Sequence, residues 1–169
     1  LSFVPPMMSF PFLNGLMPVF AAEIFETGSV GLGLLMSSLG AGSVLGTLVL
    51  ASFGNVRRKG QLIILSVALT SVTMLAFSQV TSIYMAFPIL IASSVGMMVF
   101  FSTSSALVQS IVPDEFRGRV TSISMFSFGM MPVGSLAAGV LAQRLGAPTA
   151  MLVASGVVAF LLVAFILNS

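Results

Sequence analysis

Charged, cysteine and histidine residues are scarce or absent in this sequence. Only ten of its 169 residues are charged at neutral pH, and it has no cysteine and no histidine. Without these two residue types, an HExxH zinc site and a Ser–His catalytic pair are excluded. The lack of cysteine also removes any indication of the redox compartment.

The composition is that of a membrane protein. Charged residues make up 6% of the chain and hydrophobic residues 57%, whereas a soluble domain is about a quarter charged. The mean hydropathy is +1.17. Because a spanning helix needs roughly 20 apolar residues, the charged sites and polar breaks divide the chain into six such helices. The predicted spans are 2–25, 31–54, 61–77, 83–112, 120–145 and 148–167.

The few charges lie at the turns and predict the orientation in the membrane. If the first span runs outward, five cations fall on the cytoplasmic side, namely Arg57, Arg58, Lys59, Arg117 and Arg119, together with Asp114. Only Arg144 falls outside, which is a clear positive-inside bias. We therefore expect both termini in the cytoplasm. Six scattered cations form no basic stripe, so nucleic acid is not an expected partner.

The acidic residues give no support to an enzymatic function. All four lie near turns, so the spans offer no pair of buried carboxylates. The segment 40–46 superficially resembles a phosphate-binding loop, but it lacks the Lys-Ser/Thr of that motif. Gly42 and Gly46 instead have the GxxxG spacing of close helix packing. No metal or cofactor is expected.

Two segments of the sequence are similar to each other. Residues 41–54 and 133–146 both begin with an apolar residue followed by Gly-Ser and both end in Gly. They close the second and fifth spans, which cross the membrane in opposite directions. Such a reversed repeat is typical of transporters built from three helices and three inverted helices. Chance similarity between Gly- and Ser-rich helices is the alternative.

Three spans combine helix-breaking residues with a polar face. Prolines and glycines are concentrated in the first, fourth and fifth spans, and we expect these spans to bend and line a pathway. Each also carries a face that mixes amide or hydroxyl groups with Phe and Met, which suits an amphipathic solute. The alternative is that the hydroxyls only join helices. The predicted cavity residues are Phe10, Asn14, Met17, Ser102, Ser105, Gln109, Met125 and Phe128.

Three stretches of the sequence resemble segments of a known family. They are Met-Pro-Val-Phe-Ala-Ala-Glu-Ile-Phe at 17–25, the Gly-rich run at 31–42 and Pro-Asp-Glu-Phe-Arg-Gly-Arg at 113–119. The first two are similar to the seventh and eighth helices of the major facilitator superfamily, and the third is similar to the loop before its eleventh helix. The nearest resemblance is to the branch of enterobactin exporters and macrolide efflux proteins. One departure is that 51–54 reads Ala-Ser-Phe-Gly, without the Asp-Arg pair that often precedes Phe-Gly.

This resemblance implies an all-α bundle that forms the C-terminal half of a twelve-helix transporter. The missing N-terminal half and the lipid bilayer are then its partners. The first, second, fourth and fifth spans would line a cavity that opens to alternate sides. The expected function is efflux of a small amphipathic molecule such as a drug or siderophore across a bacterial inner membrane. The alternatives are a self-contained six-span channel or permease, and a membrane scaffold that dimerises.

Overall fold

The computed structural model describes residues 13–52, 59–113 and 131–167, together with the single positions 115, 118 and 122. Within these ranges the chain is helical and contains no strand. The helices are α1 (Leu13–Ile24), α2 (Gly28–Ser52), α3 (Lys59–Ser78), α4 (Ile83–Ile111), α5 (Met131–Leu145) and α6 (Ala147–Leu167).

The predicted spans agree with the helices wherever the chain is described. The second, third and fourth spans correspond to α2, α3 and α4, and each of these helices is long and apolar enough to cross a membrane. The α1 helix and the first part of α6 are shorter apolar helices. Residues 2–12 of the first predicted span, and most of 120–130 in the fifth, lie outside the described residues.

The bundle is apolar on the outside and carries hydroxyl groups within. Large apolar side chains such as Val30, Tyr84 and Phe160 are exposed, each by more than 70%. Buried positions include many serines and threonines, among them Ser66 and Thr70. Lipid tails make exposed apolar groups favourable, while small residues let helices approach one another. This distribution is that of a membrane bundle.

Glycines set the close helix contacts, as the GxxxG spacing predicts. A methyl group at Gly46 would approach the Met98 Cβ and the Val95 carbonyl oxygen to 3.0 Å. Gly42, one turn earlier, also faces α4, so α2 and α4 pack backbone to backbone. The α4 helix runs from Ile83 to Ile111 and includes Pro88 and Gly96. Gly96 lies against Thr70 of α3.

The end of α1 departs from regular α-helix. Its last five residues, Phe20–Ile24, form a π-helical turn. The Phe25 amide closes this turn on the Phe20 carbonyl at 2.9 Å, and Glu26 then adopts a positive φ of 51°. The rings of Phe20 and Phe77 pack with centroids 4.8 Å apart. This contact joins the end of α1 to α3 within the main hydrophobic core.

Candidate functional site

A cavity of about 300 Å³ lies between α1, α2 and α4. Two residues of α1, four of α2 and four of α4 line it, and most of them are apolar. They are Leu13, Asn14, Met36, Leu39, Gly40, Ser43, Ser94, Met97, Met98 and Phe101. This volume and lining suit a small ligand whose surface is largely apolar.

Helical spacing places these residues on common faces. In α2, Met36, Gly40 and Ser43 are separated by four and three residues, so they lie above one another. In α4, Ser94, Met98 and Phe101 repeat the same spacing. Because Gly42 and Gly46 hold α2 directly against α4, these two faces meet along one side of the contact. Gly40 has no side chain, which leaves space between them.

One wall of the cavity carries a hydroxyl cluster, formed by Ser43, Ser94 and the Leu39 carbonyl. The Ser94 hydroxyl lies 2.6 Å from the Leu39 carbonyl oxygen, and the Ser43 hydroxyl lies 2.9 Å from the same oxygen. The two hydroxyl oxygens are themselves 2.9 Å apart. Ser94 is only 5% exposed, whereas Ser43 is half-buried. The cluster joins α2 to α4 and is a polar spot in apolar surroundings.

The rest of the cavity lining is uncharged and includes flexible methionine side chains. Met36, Met97 and Met98 contribute thioethers, which adapt to ligands of different shapes and make favourable contacts with aromatic rings. None of the described residues that line the cavity is ionisable. The described part of the chain also has no group of side chains that could hold a metal ion. The arrangement can bind an apolar molecule and orient it through a few polar contacts.

Comparison with known proteins places this bundle in a family. The sequence profile of MFS_3, described as transmembrane secretion effector, matches residues 9–169. The chain belongs to this family of major facilitator transporters. It is therefore a multi-pass membrane protein, and the resemblance of its motifs to the superfamily is confirmed.

Two curated relatives of this major facilitator protein carry the name macrolide efflux protein A. One is from Streptococcus pyogenes and the other from S. pyogenes serotype M6, strain ATCC BAA-946 / MGAS10394. Each is 26% identical over 138 residues, which cover 79% of this chain and 34% of the relative. The chain thus spans about a third of the length of these relatives. No solved structure gives a significant match.

The structure brings only some of the residues predicted to line a cavity to the cavity that it forms. Of the predicted residues that the structure describes, Asn14 lines this cavity, beside Ser94, Met98 and Phe101. Met17 is fully buried in the hydrophobic core. Ser102 is half-buried, while Ser105 and Gln109 are exposed nearer the end of α4. Gln109 donates a hydrogen bond to the Ser105 hydroxyl at 3.1 Å.

The remaining predicted residues fall largely outside the described ranges. Phe10, Met125 and Phe128 of the predicted cavity lie there, as do Arg57, Arg58, Asp114, Arg117 and Arg119 of the predicted cytoplasmic loops. Lys59 is the first residue of α3. The expected roles of these residues therefore stay predictions.

The contribution of α2 was missed by the search for polar faces. Met36, Gly40 and Ser43 line the cavity, yet the second span has no proline and its serines and threonine are spread around the helix, so no face stood out. The signal that could have found them is the spacing of Met36, Gly40 and Ser43, which repeats that of the α4 face. The family resemblance did imply that the second span lines a cavity.

Proposed function

We propose that this chain is the C-terminal six-helix half of a twelve-helix transporter. The whole protein exports a small amphipathic molecule, such as a drug or siderophore, from a bacterial cell by alternating access. The observation that carries the proposal is the neutral, Met-rich cavity between α1, α2 and α4. The relatives named macrolide efflux protein A support it, since the chain covers only about a third of their length.

The packing supports an arrangement of three helices followed by three inverted helices. In the similar segments of the sequence, Gly42-Ser43 of α2 corresponds to Gly134-Ser135 of α5. Ser43 contacts Ser94 of α4, while Ser135 lies beside Gly15 of α1, where a methyl group would come within 3.3 Å of its Cβ. An inverted repeat pairs α1 with α4 and α2 with α5. The two contacts are then equivalent under the symmetry of the repeat.

In this arrangement α1, α2, α4 and α5 are the inner helices. Three of these four helices form the walls of the cavity. The α3 helix packs on α4 and α6, and α6 packs on α5, so α3 and α6 form an outer layer. The exposed Ser105 and Gln109 would face the N-terminal half and extend the lining beyond the cavity. The cations at 57–59 and 117–119 would face the cytoplasm, together with both termini.

Reconstitution of the full-length protein in liposomes tests this function. We expect the protein to move a lipophilic dye against its gradient when an ion gradient is imposed. Asn14→Leu and Gln109→Leu should each lower the rate of dye movement, since both remove an amide from the proposed pathway. Gln79→Leu is the matched control, because Gln79 is an exposed amide in the turn between α3 and α4.

The outcomes separate the alternatives. Dye movement that is unchanged in both Asn14→Leu and Gln109→Leu rejects the assignment of these residues to the pathway. Passive flux without coupling to any gradient favours a channel, and no flux at all favours a scaffold. The gene sequence upstream of Leu1 gives a second test, because the proposal requires six further spans there.

A further inference from the structure

The hydroxyl cluster has a restricted supply of protons. Each serine hydroxyl has one proton to donate, so Ser43 and Ser94 can fill only two of the three contacts among Ser43, Ser94 and the Leu39 carbonyl. In an α-helix the Ser43 amide also bonds the carbonyl four residues earlier, which is that of Leu39. A carbonyl oxygen has two lone pairs. One hydroxyl therefore donates to Leu39, and the other donates to the first hydroxyl.

Both protons are consequently used within the protein. The hydroxyl that donates to the other hydroxyl accepts no hydrogen bond itself. The lone pairs of its oxygen are therefore available to a ligand in the cavity. The thioethers of Met36, Met97 and Met98 add only weak acceptors. Asn14, on the α1 side of the cavity, carries two amide donors and a carbonyl acceptor and also interacts with the protein. The described wall formed by α2 and α4 thus offers only hydrogen-bond acceptors.

We infer that the cavity selects apolar molecules that carry a hydrogen-bond donor, such as a hydroxyl group, and that Ser43 and Ser94 are the specificity-determining residues. The inference rests on the proposed function, since it assigns the substrate class of the same cavity. A donor on the ligand would bond a serine oxygen while its apolar body packs on Met98 and Phe101. A molecule of the same shape without a donor would leave that acceptor without a partner, which lowers its affinity.

A pair of matched probes tests the inference. Binding of 1-naphthalenemethanol and of its methyl ether, 1-(methoxymethyl)naphthalene, is measured on the purified full-length protein by naphthalene fluorescence. The ratio of the dissociation constants of variant and wild type is taken for each probe, because partition into detergent cancels in this ratio. In Ser43→Ala/Ser94→Ala we expect the alcohol to bind about fivefold more weakly, the effect of one net hydrogen bond. The ether should be affected less than about twofold.

Control variants separate recognition from folding. Ser37→Ala removes a hydroxyl of α2 that bonds the Gly33 carbonyl at 2.8 Å outside the cavity, and it should leave both probes unchanged. Thermal unfolding of the double variant shows separately whether it is folded, and in a folded variant the affinity of the ether should persist. The single variants each leave one serine oxygen as an acceptor, so they should weaken the alcohol less than the double variant does. If the double variant does not fold, the same comparison of the two probes is made on the single variants.

Each contrary result has a distinct meaning. Equal weakening of both probes in a folded variant overturns the inference, since the hydroxyls would then only shape the cavity. An unchanged affinity of the alcohol overturns it too. If the wild-type protein binds neither probe, the inference and the proposed ligand cavity both fail. Binding of both probes without any effect of the serines leaves the proposed function intact and removes only the donor preference.

Discussion

Gly42 of α2 lies so close to Ile91 of α4 that a methyl group at position 42 would come within 2.5 Å of the Ile91 carbonyl oxygen and 2.7 Å of the Ser94 Cβ. Neither of these atoms can move without shifting the α4 backbone. This contact fixes the distance between the two helices. The cavity and the hydroxyl cluster both depend on that distance, because their walls come mainly from α2 and α4.

We predict that Gly42→Ala destabilises the protein, by about 1–3 kcal/mol, as overpacking of a tight contact does. Gly33→Ala is the matched control in the same helix, because a methyl group there has nothing within 4 Å. The measurement is thermal unfolding of the purified full-length protein in detergent. Equal unfolding temperatures for the two variants would contradict the close contact of α2 with α4.

A second close contact predicts energetic coupling between Gly96 and Thr70. A methyl group at position 96 would lie 2.7 Å from the Thr70 hydroxyl oxygen, which bonds the Ser66 carbonyl at 2.9 Å. Gly96→Ala alone should therefore destabilise the protein. The loss of stability should be smaller when Thr70→Ala is also present, because the smaller side chain provides space for the methyl group. A double-mutant cycle of unfolding free energies should give a coupling of roughly 0.5–3 kcal/mol. If the two changes in unfolding free energy are additive, the methyl group at position 96 and the Thr70 side chain do not compete for the same space.

The positions of the helices could be read from the sequence because lipid imposes a simple length requirement. An apolar stretch must reach across the bilayer, and glycine, proline and charge mark where it ends. The turn of Leu145 and Gly146 is an example, since α5 ends at Leu145 and α6 begins at Ala147. The close packing of Gly42 and Gly46 was also predicted and is confirmed.

The π-helical turn and the partner of each helix face could not be read in this way. No residue pattern in Phe20–Ile24 distinguishes a π-helix from an α-helix, and the turn depends on what Phe20 packs against. In a soluble protein, polar residues mark the outer face of a helix, but in lipid the outer face is apolar too. For this reason the sequence could not show that Met17, which was chosen for its position on a polar face, lies in the core.

Substitution of alanine for glycine should change the stability differently in the turn between α5 and α6 and within α6. Gly146 has a φ of 82° and its amide bonds the Ala142 carbonyl at 2.8 Å. Gly146→Ala should destabilise the protein by about 1–2 kcal/mol, the cost of a side chain in left-handed backbone. Gly156→Ala, at an open position within α6, should be neutral or stabilising by up to about 1 kcal/mol. Thermal unfolding compares the two, and a larger loss at position 156 would contradict the turn geometry.

Filling the cavity should slow transport strongly without unfolding the protein. Gly40 lines the cavity, and a methyl group there would have nothing within 4 Å, so a larger side chain can occupy the space that a ligand needs. We predict that Gly40→Phe lowers dye efflux from liposomes by about tenfold, since an excluded ligand loses most of its contact surface. Gly33→Phe, at an equally open position of the same helix, should retain efflux, and both variants should unfold at temperatures close to that of the wild type. Normal efflux by a folded Gly40→Phe protein would place the substrate elsewhere.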